Sequence, residues 1–103
     1  MTPLRVRPAA DRDLDAALAF LLREGAPGAA LQLLEEFEAA LARIAGRPAI
    51  GSPRYAHLLP ALRFWKLRRH EYLVFYVIQP DVIDVLRILH AKRDIPAALG
   101  EDR

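Results

Sequence analysis

The chain of 103 residues contains no cysteine, which excludes a disulfide framework and a thiolate metal site. Histidine is scarce, and His57 and His70 lack the i,i+4 pairing that a zinc or hydrolytic metal site would require. Ser52 is the only serine and has no base nearby in sequence, and glycine-rich nucleotide-binding motifs are absent. We therefore expect no metal, no cofactor and no serine hydrolase activity.

Long apolar runs are also missing. The longest, Leu73 to Ile78, is far below the roughly 20 residues that a membrane-spanning helix needs. The first residues alternate Arg5 and Arg7 with apolar side chains, unlike a secretory signal peptide, in which a basic stretch precedes an apolar one. The sequence thus predicts a cytoplasmic protein that does not associate with membranes.

What the chain does contain is a large apolar fraction with an uneven distribution of charge. It is 53% hydrophobic and 27% charged, and its length predicts one domain over residues 1–103. Residues 1–46 hold five basic and seven acidic side chains, whereas residues 47–103 hold ten basic and six acidic ones. The second half is therefore the candidate surface for a polyanion or an acidic protein.

Hydrophobic periodicity predicts an α+β fold of order β-α-α-β-β-β. A helical hairpin packs on one face of a small, mainly antiparallel sheet and leaves the other face partly open. Asp11 is the expected N-cap of the first helix. Tyr72 to Ile78 is apolar at successive positions, which is typical of a central strand. The predicted elements are β 4–8, α 12–23, α 29–45, loop 46–60, β 61–69, β 72–79, β 82–90 and tail 94–103.

Basic and aromatic side chains alternate along the first strand of the predicted meander, at Arg63, Trp65, Lys66 and Arg68. Cations and rings in such an arrangement are typical of a surface that binds nucleic acid, which Tyr72 and Arg87 on neighbouring strands would extend. The alternative is that the aromatic rings belong to the core beside ordinary surface arginines.

A second candidate cluster stands at the end of the last strand, where His90 lies near Arg87 and Arg93 in sequence. A ribonuclease needs a general base, a general acid and cations that stabilise the phosphorane, and these residue types supply them. The alternative is a structural His90 that hydrogen-bonds Asp94 or the backbone.

Four segments, taken together and in order, resemble the RelE/ParE superfamily of bacterial toxins. The resemblance covers nearly the whole chain and implies the toxin of a type II toxin–antitoxin system, of the plasmid-stabilisation type. The segments are Pro8 to Leu14, Arg47 to Arg54, the strand pair from Leu62 through Tyr76, and Arg87 to Ile95.

Two branches of the superfamily imply different activities. The RelE-like branch cleaves messenger RNA on the ribosome, and the ParE-like branch inhibits DNA gyrase. Leu73 stands where the nuclease branch has an arginine, and the tail from Ile95 to Leu99 has no tyrosine or histidine that could transfer a proton. We therefore favour the ParE-like branch. If the chain is a ribonuclease, its candidate catalytic residues are Lys66, Arg68, Tyr72 and Arg93, which match that branch, together with His90.

The resemblance further implies a cognate antitoxin, a small DNA-binding dimer such as a ribbon-helix-helix protein. Its acidic tail is expected to fold along the helical hairpin and the sheet. A chain that has lost its toxicity is a third hypothesis beside the gyrase inhibitor and the ribonuclease. The residues expected to bind target or antitoxin are Arg63, Trp65, Lys66, Arg68, Arg87, Leu18, Leu22 and Phe37.

Overall fold

The structure is a computed structural model that describes residues 1–100, and it has the element order β-α-α-β-β-β followed by a short helix. The predicted fold class is confirmed. No helix in residues 1–100 is long and apolar enough to cross a membrane. The elements are β1 (Leu4–Val6), α1 (Pro8–Arg23), α2 (Pro27–Gly46), β2 (Leu62–Lys66), β3 (Tyr72–Ile78), β4 (Ile83–His90) and α3 (Ile95–Gly100), with a single 3₁₀ turn at Pro48–Ile50.

Both helices of the hairpin begin at a proline, earlier than the periodicity predicts. The fixed φ of Pro8 and Pro27 favours the first helical position, where a missing N–H breaks no hydrogen bond. The expectation that Asp11 caps α1 is wrong, because Asp11 lies inside the first turn and the N-cap position is Arg7. The carboxylate of Asp11 instead lies near the positive end of the helix dipole. Gly25, at φ +72°, adopts the left-handed conformation in the turn between the helices.

The sheet has the strand order β1-β4-β3-β2, with β1 parallel to β4 and the other pairs antiparallel. β3 and β4 are therefore the central strands, and nearly all of their residues are buried. A strand apolar on both sides can lie only where both of its faces are covered, which is why β3 occupies the centre. β2 ends at Lys66, three residues earlier than predicted.

The sheet face opposite the hairpin is covered, so the expectation of a partly open face is wrong. Residues 53–61 fold back over it, and α3 packs beside them. The hairpin side of the sheet forms a separate core that contains Leu33, Phe37, Ile44 and Tyr76. The apolar side chains on the covered face are Tyr55, Leu58, Leu59, Leu62, Phe64, Leu73, Phe75, Val77, Leu86, Leu89, Ile95, Ala98 and Leu99.

Tyr76 fixes the connection between α2 and β2. Its fully buried phenol donates a hydrogen bond to the Pro48 carbonyl (2.6 Å) and accepts one from the Gly51 amide (2.9 Å). Burial raises the pKa of the Tyr76 phenol, which therefore stays protonated and able to donate. A Cβ at Gly51 would collide with this hydroxyl and lie 2.8 Å from the Phe64 carbonyl oxygen, so the close approach requires glycine.

Asp84 holds the short strand β1 against β4. Its carboxylate is fully buried and accepts hydrogen bonds from Arg5 (3.2 Å at each oxygen) and from Arg7 (2.6 and 3.0 Å). The hydrogen bonds from Arg7, which outweigh the effect of burial, and those from Arg5 lower the pKa of Asp84 below its ordinary value. The side chains of Arg5 and Arg7 remain partly exposed to solvent, at 59% and 44%.

We predict that Asp84→Asn destabilises the protein at neutral pH by about 2 kcal/mol, because charge-assisted hydrogen bonds are lost. The pKa of Asp84 is lowered in the folded state, so the unfolded state binds the proton more tightly. The stability from Asp84 is therefore present above its unfolded pKa of about 3.9 and lost as pH falls through the folded value. Urea unfolding of the parent and of Asp84→Asn from pH 7 to pH 2 should show that the difference in their free energies of unfolding shrinks in acid. A difference that stays constant would contradict this prediction.

Candidate functional site

The five residues predicted to act in a ribonuclease do not converge on one site. Tyr72, His90 and Arg93 line a common cleft between α1 and the end of β4. Lys66 lies opposite Leu73, whose side chain belongs to the covered face, and cross-strand partners project to the same side. Its ammonium group lies 3.5 Å from Glu71. Arg68 is exposed beside α2, on the other flank of the hairpin.

The first candidate site, the α1–β4 cleft, has a volume of about 230 Å³. His90 packs edge-on against Tyr72, with ring centroids 5.2 Å apart. Nδ1 of His90 accepts a hydrogen bond from the Lys92 amide (3.2 Å), so the neutral ring carries its proton on Nε2. The predicted backbone hydrogen bond of His90 is thus present in the structure. The cleft is lined by Asp13, Ala16, Ala17, Phe20, Tyr72, Ile88, Leu89, His90 and Arg93.

Asp13, in the wall of this cleft, forms a largely buried ion pair with Arg87. Asp13 receives hydrogen bonds from Nε and Nη2 of Arg87 (2.7 and 3.0 Å) and from the Ile88 amide (2.9 Å). Arg87 also donates to the Ala98 carbonyl (2.9 Å), so it connects α1, β4 and α3. The expectation that Arg87 contacts a partner is wrong for the folded chain, since only 8% of the residue is exposed.

The second candidate site, the α2–β2 groove, is an open groove between α2 and the end of β2. Arg43 and Arg68 are exposed along it, and the half-buried Trp65 lies between them and the core. Its wider part has a volume of about 540 Å³. The groove is lined by Gly28, Gln32, Glu35, Glu36, Ala39, Ala40, Arg43, Trp65, Leu67, Arg68 and Arg69.

Glu36 connects the wall of this groove to the turn between β2 and β3. The carboxylate of Glu36 accepts hydrogen bonds from the backbone amide of Arg69, at 3.1 Å to Oε1 and 3.2 Å to Oε2. Nδ1 of His70 lies 3.3 Å from Oε1. Burial disfavours the charged form of Glu36, but the hydrogen bonds from Arg69 and His70 outweigh it and lower its pKa. His70, which precedes Glu71 in sequence, thus has the distant Glu36 as its acidic partner in the fold. In residues 1–100, no three metal-ligating side chains come together.

The other predicted contact residues lie in different environments. Phe37 is a core residue with 5% exposure, so the expectation that it contacts a partner is wrong for the folded chain. Arg63 donates to the carbonyls of Ala49 (3.2 Å) and Gly51 (2.6 Å) and so holds the loop. Leu18 is half-buried, and Leu22 is 58% exposed.

Sequence reasoning missed Phe20 and Leu31, which are 51% and 60% exposed on the hairpin. The core side of α1 is an apolar stripe of Leu14, Ala17, Leu18 and Leu21, and Phe20 lies outside it. An aromatic side chain off that stripe was the available signal for an exposed contact residue.

Two comparisons with known proteins identify the family and the fold of the chain. A family model described as the ParE toxin of type II toxin–antitoxin systems, parDE, matches residues 4–95. The chain belongs to the ParE toxin family. A solved structure titled "Chromosomal ParDE TA system from P. aeruginosa" matches 87% of this chain and 96% of that chain, with a TM-score of 0.74 and 22% identity. At this identity the likeness supports the ParE-like fold. No curated protein matches the chain.

We predict that Arg87→Met destabilises this ParE-family toxin by about 3 kcal/mol, because the largely buried carboxylate of Asp13 loses its cation. The double variant Asp13→Asn with Arg87→Met should lose less stability than the sum of the losses in the two single variants, since the groups interact directly. Urea unfolding at neutral pH measures the free energy of unfolding of each variant. An Arg87→Met protein as stable as the parent would contradict a structural role for this pair.

Proposed function

We propose that this ParE-family toxin arrests bacterial growth by inhibiting DNA gyrase without catalysing a reaction, and that a cognate antitoxin neutralises it. The observation that carries the proposal is the separation of the nuclease-type residues. Lys66 and Arg68 lie apart from His90 and Arg93, so their charges do not act on one phosphate. Asp13, the carboxylate in the cleft of His90, is bound by Arg87 and is a poor second proton-transfer group.

Ribosome-dependent cleavage of messenger RNA is the second candidate function. It is favoured by the cleft in which Tyr72, His90 and Arg93 lie together, since these supply an imidazole, a phenol and a cation. The two functions leave different products in the cell. They can therefore be separated in one culture.

We predict that induced expression of the toxin in bacteria produces DNA-break signalling while messenger RNA remains intact. DNA breaks and new messenger 5′ ends should be measured in the same arrested culture, with co-expression of the antitoxin as the control that suppresses arrest. Purified gyrase should accumulate cleaved DNA when the toxin is added. Cut messages with quiet DNA would contradict gyrase inhibition and favour the nuclease, and growth without arrest would favour loss of toxicity.

We assign antitoxin binding to the α2–β2 groove. The antitoxin is expected to be a small DNA-binding dimer, such as a ribbon-helix-helix protein, with a disordered acidic and amphipathic tail. Arg43 and Arg68 carry positive charge along the groove, while the half-buried Trp65 supplies apolar surface. A tail that folds on binding gains from both, since it buries apolar side chains and pairs its carboxylates with arginine. Leu18 and Leu22, which lie on α1, stay predicted contacts for the target or the antitoxin.

We predict that Ala39→Trp weakens antitoxin binding by about tenfold or more, because an indole at this exposed helical position fills the groove. Ala42→Trp is the matched control, since Ala42 is exposed on the same helix and lines neither the groove nor the α1–β4 cleft. Calorimetric titration with the antitoxin encoded beside the toxin gives both affinities. Equal affinity of the two variants would remove the groove from the interface.

A further inference from the structure

The α1–β4 cleft is separate from the groove assigned to the antitoxin. The cleft lies where α1 packs on β4, and the groove lies between α2 and β2. β3 separates these two strands in the sheet, so the sites occupy opposite flanks of the hairpin. The cleft is therefore available for a different partner.

The size of the cleft limits its occupant. Its volume of about 230 Å³ is below the range of about 300–1,000 Å³ that holds small ligands and cofactors in proteins. A space of this size admits a single side chain of a larger molecule. Apart from Arg93, the residues that line the cleft belong to α1 and to the central strands β3 and β4. The cleft is therefore already formed before a partner binds.

The walls define the chemistry of that side chain. Ala16, Ala17 and Ile88 give an apolar lining, and the half-exposed ring of Phe20 borders it. His90 adds an N–H donor at Nε2 in its neutral form. The complementary group is an apolar side chain with a hydrogen-bond acceptor beside it.

Charge around the cleft favours a protein over a nucleic acid. The exposed Lys92 and Arg93 follow the strand end and attract a carboxylate. However, Asp11 and Asp15 are exposed on α1, near the other wall. Single strands are bound along continuous positive grooves, which the acidic residues of α1 interrupt.

We propose that the α1–β4 cleft is where this toxin docks on the folded protein that it inhibits, by receiving a protruding apolar side chain with a carboxylate beside it. The proposal rests on the proposed non-catalytic function. A disordered antitoxin tail gains affinity by covering a long surface such as the groove, whereas a preformed cleft for one side chain suits a folded partner. The cleft and the groove thus serve the target and the antitoxin, respectively.

The test uses Ala16→Trp, in which an indole placed on the exposed wall of α1 fills the cleft. We expect the toxin level needed for growth arrest to rise by about tenfold or more. Antitoxin affinity should stay within about threefold of the parent, and thermal unfolding should be unchanged. Ala42→Trp should match the parent in all three measurements. Lys92→Glu gives a second variant at an exposed position, with the same expected separation of arrest from antitoxin binding.

Full arrest by both folded variants would overturn the proposal, and so would equal losses of arrest and antitoxin affinity, since the cleft would then belong to the antitoxin interface. The DNA-break assay on the parent protein distinguishes this failure from failure of the proposed function. If the parent breaks DNA and both variants do so equally well, the cleft assignment alone is wrong. If the parent cuts messages and Ala16→Trp abolishes cutting, gyrase inhibition and the non-catalytic docking role of the cleft are both wrong.

Discussion

The structure depends on one constraint, which is that the central strands are apolar on both faces and need cover on both sides. Phe75 and Tyr76 are both fully buried, although they are neighbours on β3 and belong to opposite cores. The helical hairpin covers one face. Residues 53–61 and α3 cover the other, which a chain of this length achieves only by using its longest connection and its end as packing elements.

This double cover restricts where a partner can bind. The faces of the sheet are occupied, so the accessible concave surfaces described here lie at the flanks of the hairpin. The α1–β4 cleft lies at one flank and the α2–β2 groove at the other. A toxin that must contact both a target and an antitoxin thus has two places to do so. The cleft and the groove differ in shape and charge, and each therefore favours a different kind of partner.

The order of elements could be predicted from the sequence because periodicity and turn residues act locally. Tyr72 to Ile78 is apolar at both even and odd positions, and this alone placed β3 at the centre. The covered face was missed because the glycines and prolines at Gly46, Pro48, Gly51 and Pro53 favour a surface loop over residues 46–60. Three apolar side chains in that segment, Tyr55, Leu58 and Leu59, were the contrary signal.

The charged contacts could not be predicted. Asp84, Asp13 and Glu36 bind partners 77, 74 and 34 residues away, and any of the 15 lysines and arginines or the three histidines was an equally plausible partner for each. Only the fold selects among them. The sites share this property, since His90 and Phe20 become neighbours of one cleft solely through the packing of α1 on β4.

The contact between Gly51 and Tyr76 has a consequence for how such a sequence can diverge. The hydroxyl of Tyr76 occupies the space that any side chain at position 51 would need. Loss of that hydroxyl would not by itself admit a larger residue, because the Phe64 carbonyl oxygen lies 2.8 Å from the same Cβ. Glycine at 51 is therefore fixed by the backbone of β2 as well as by Tyr76, and we expect it to persist in relatives that have lost the hydroxyl but keep this connection.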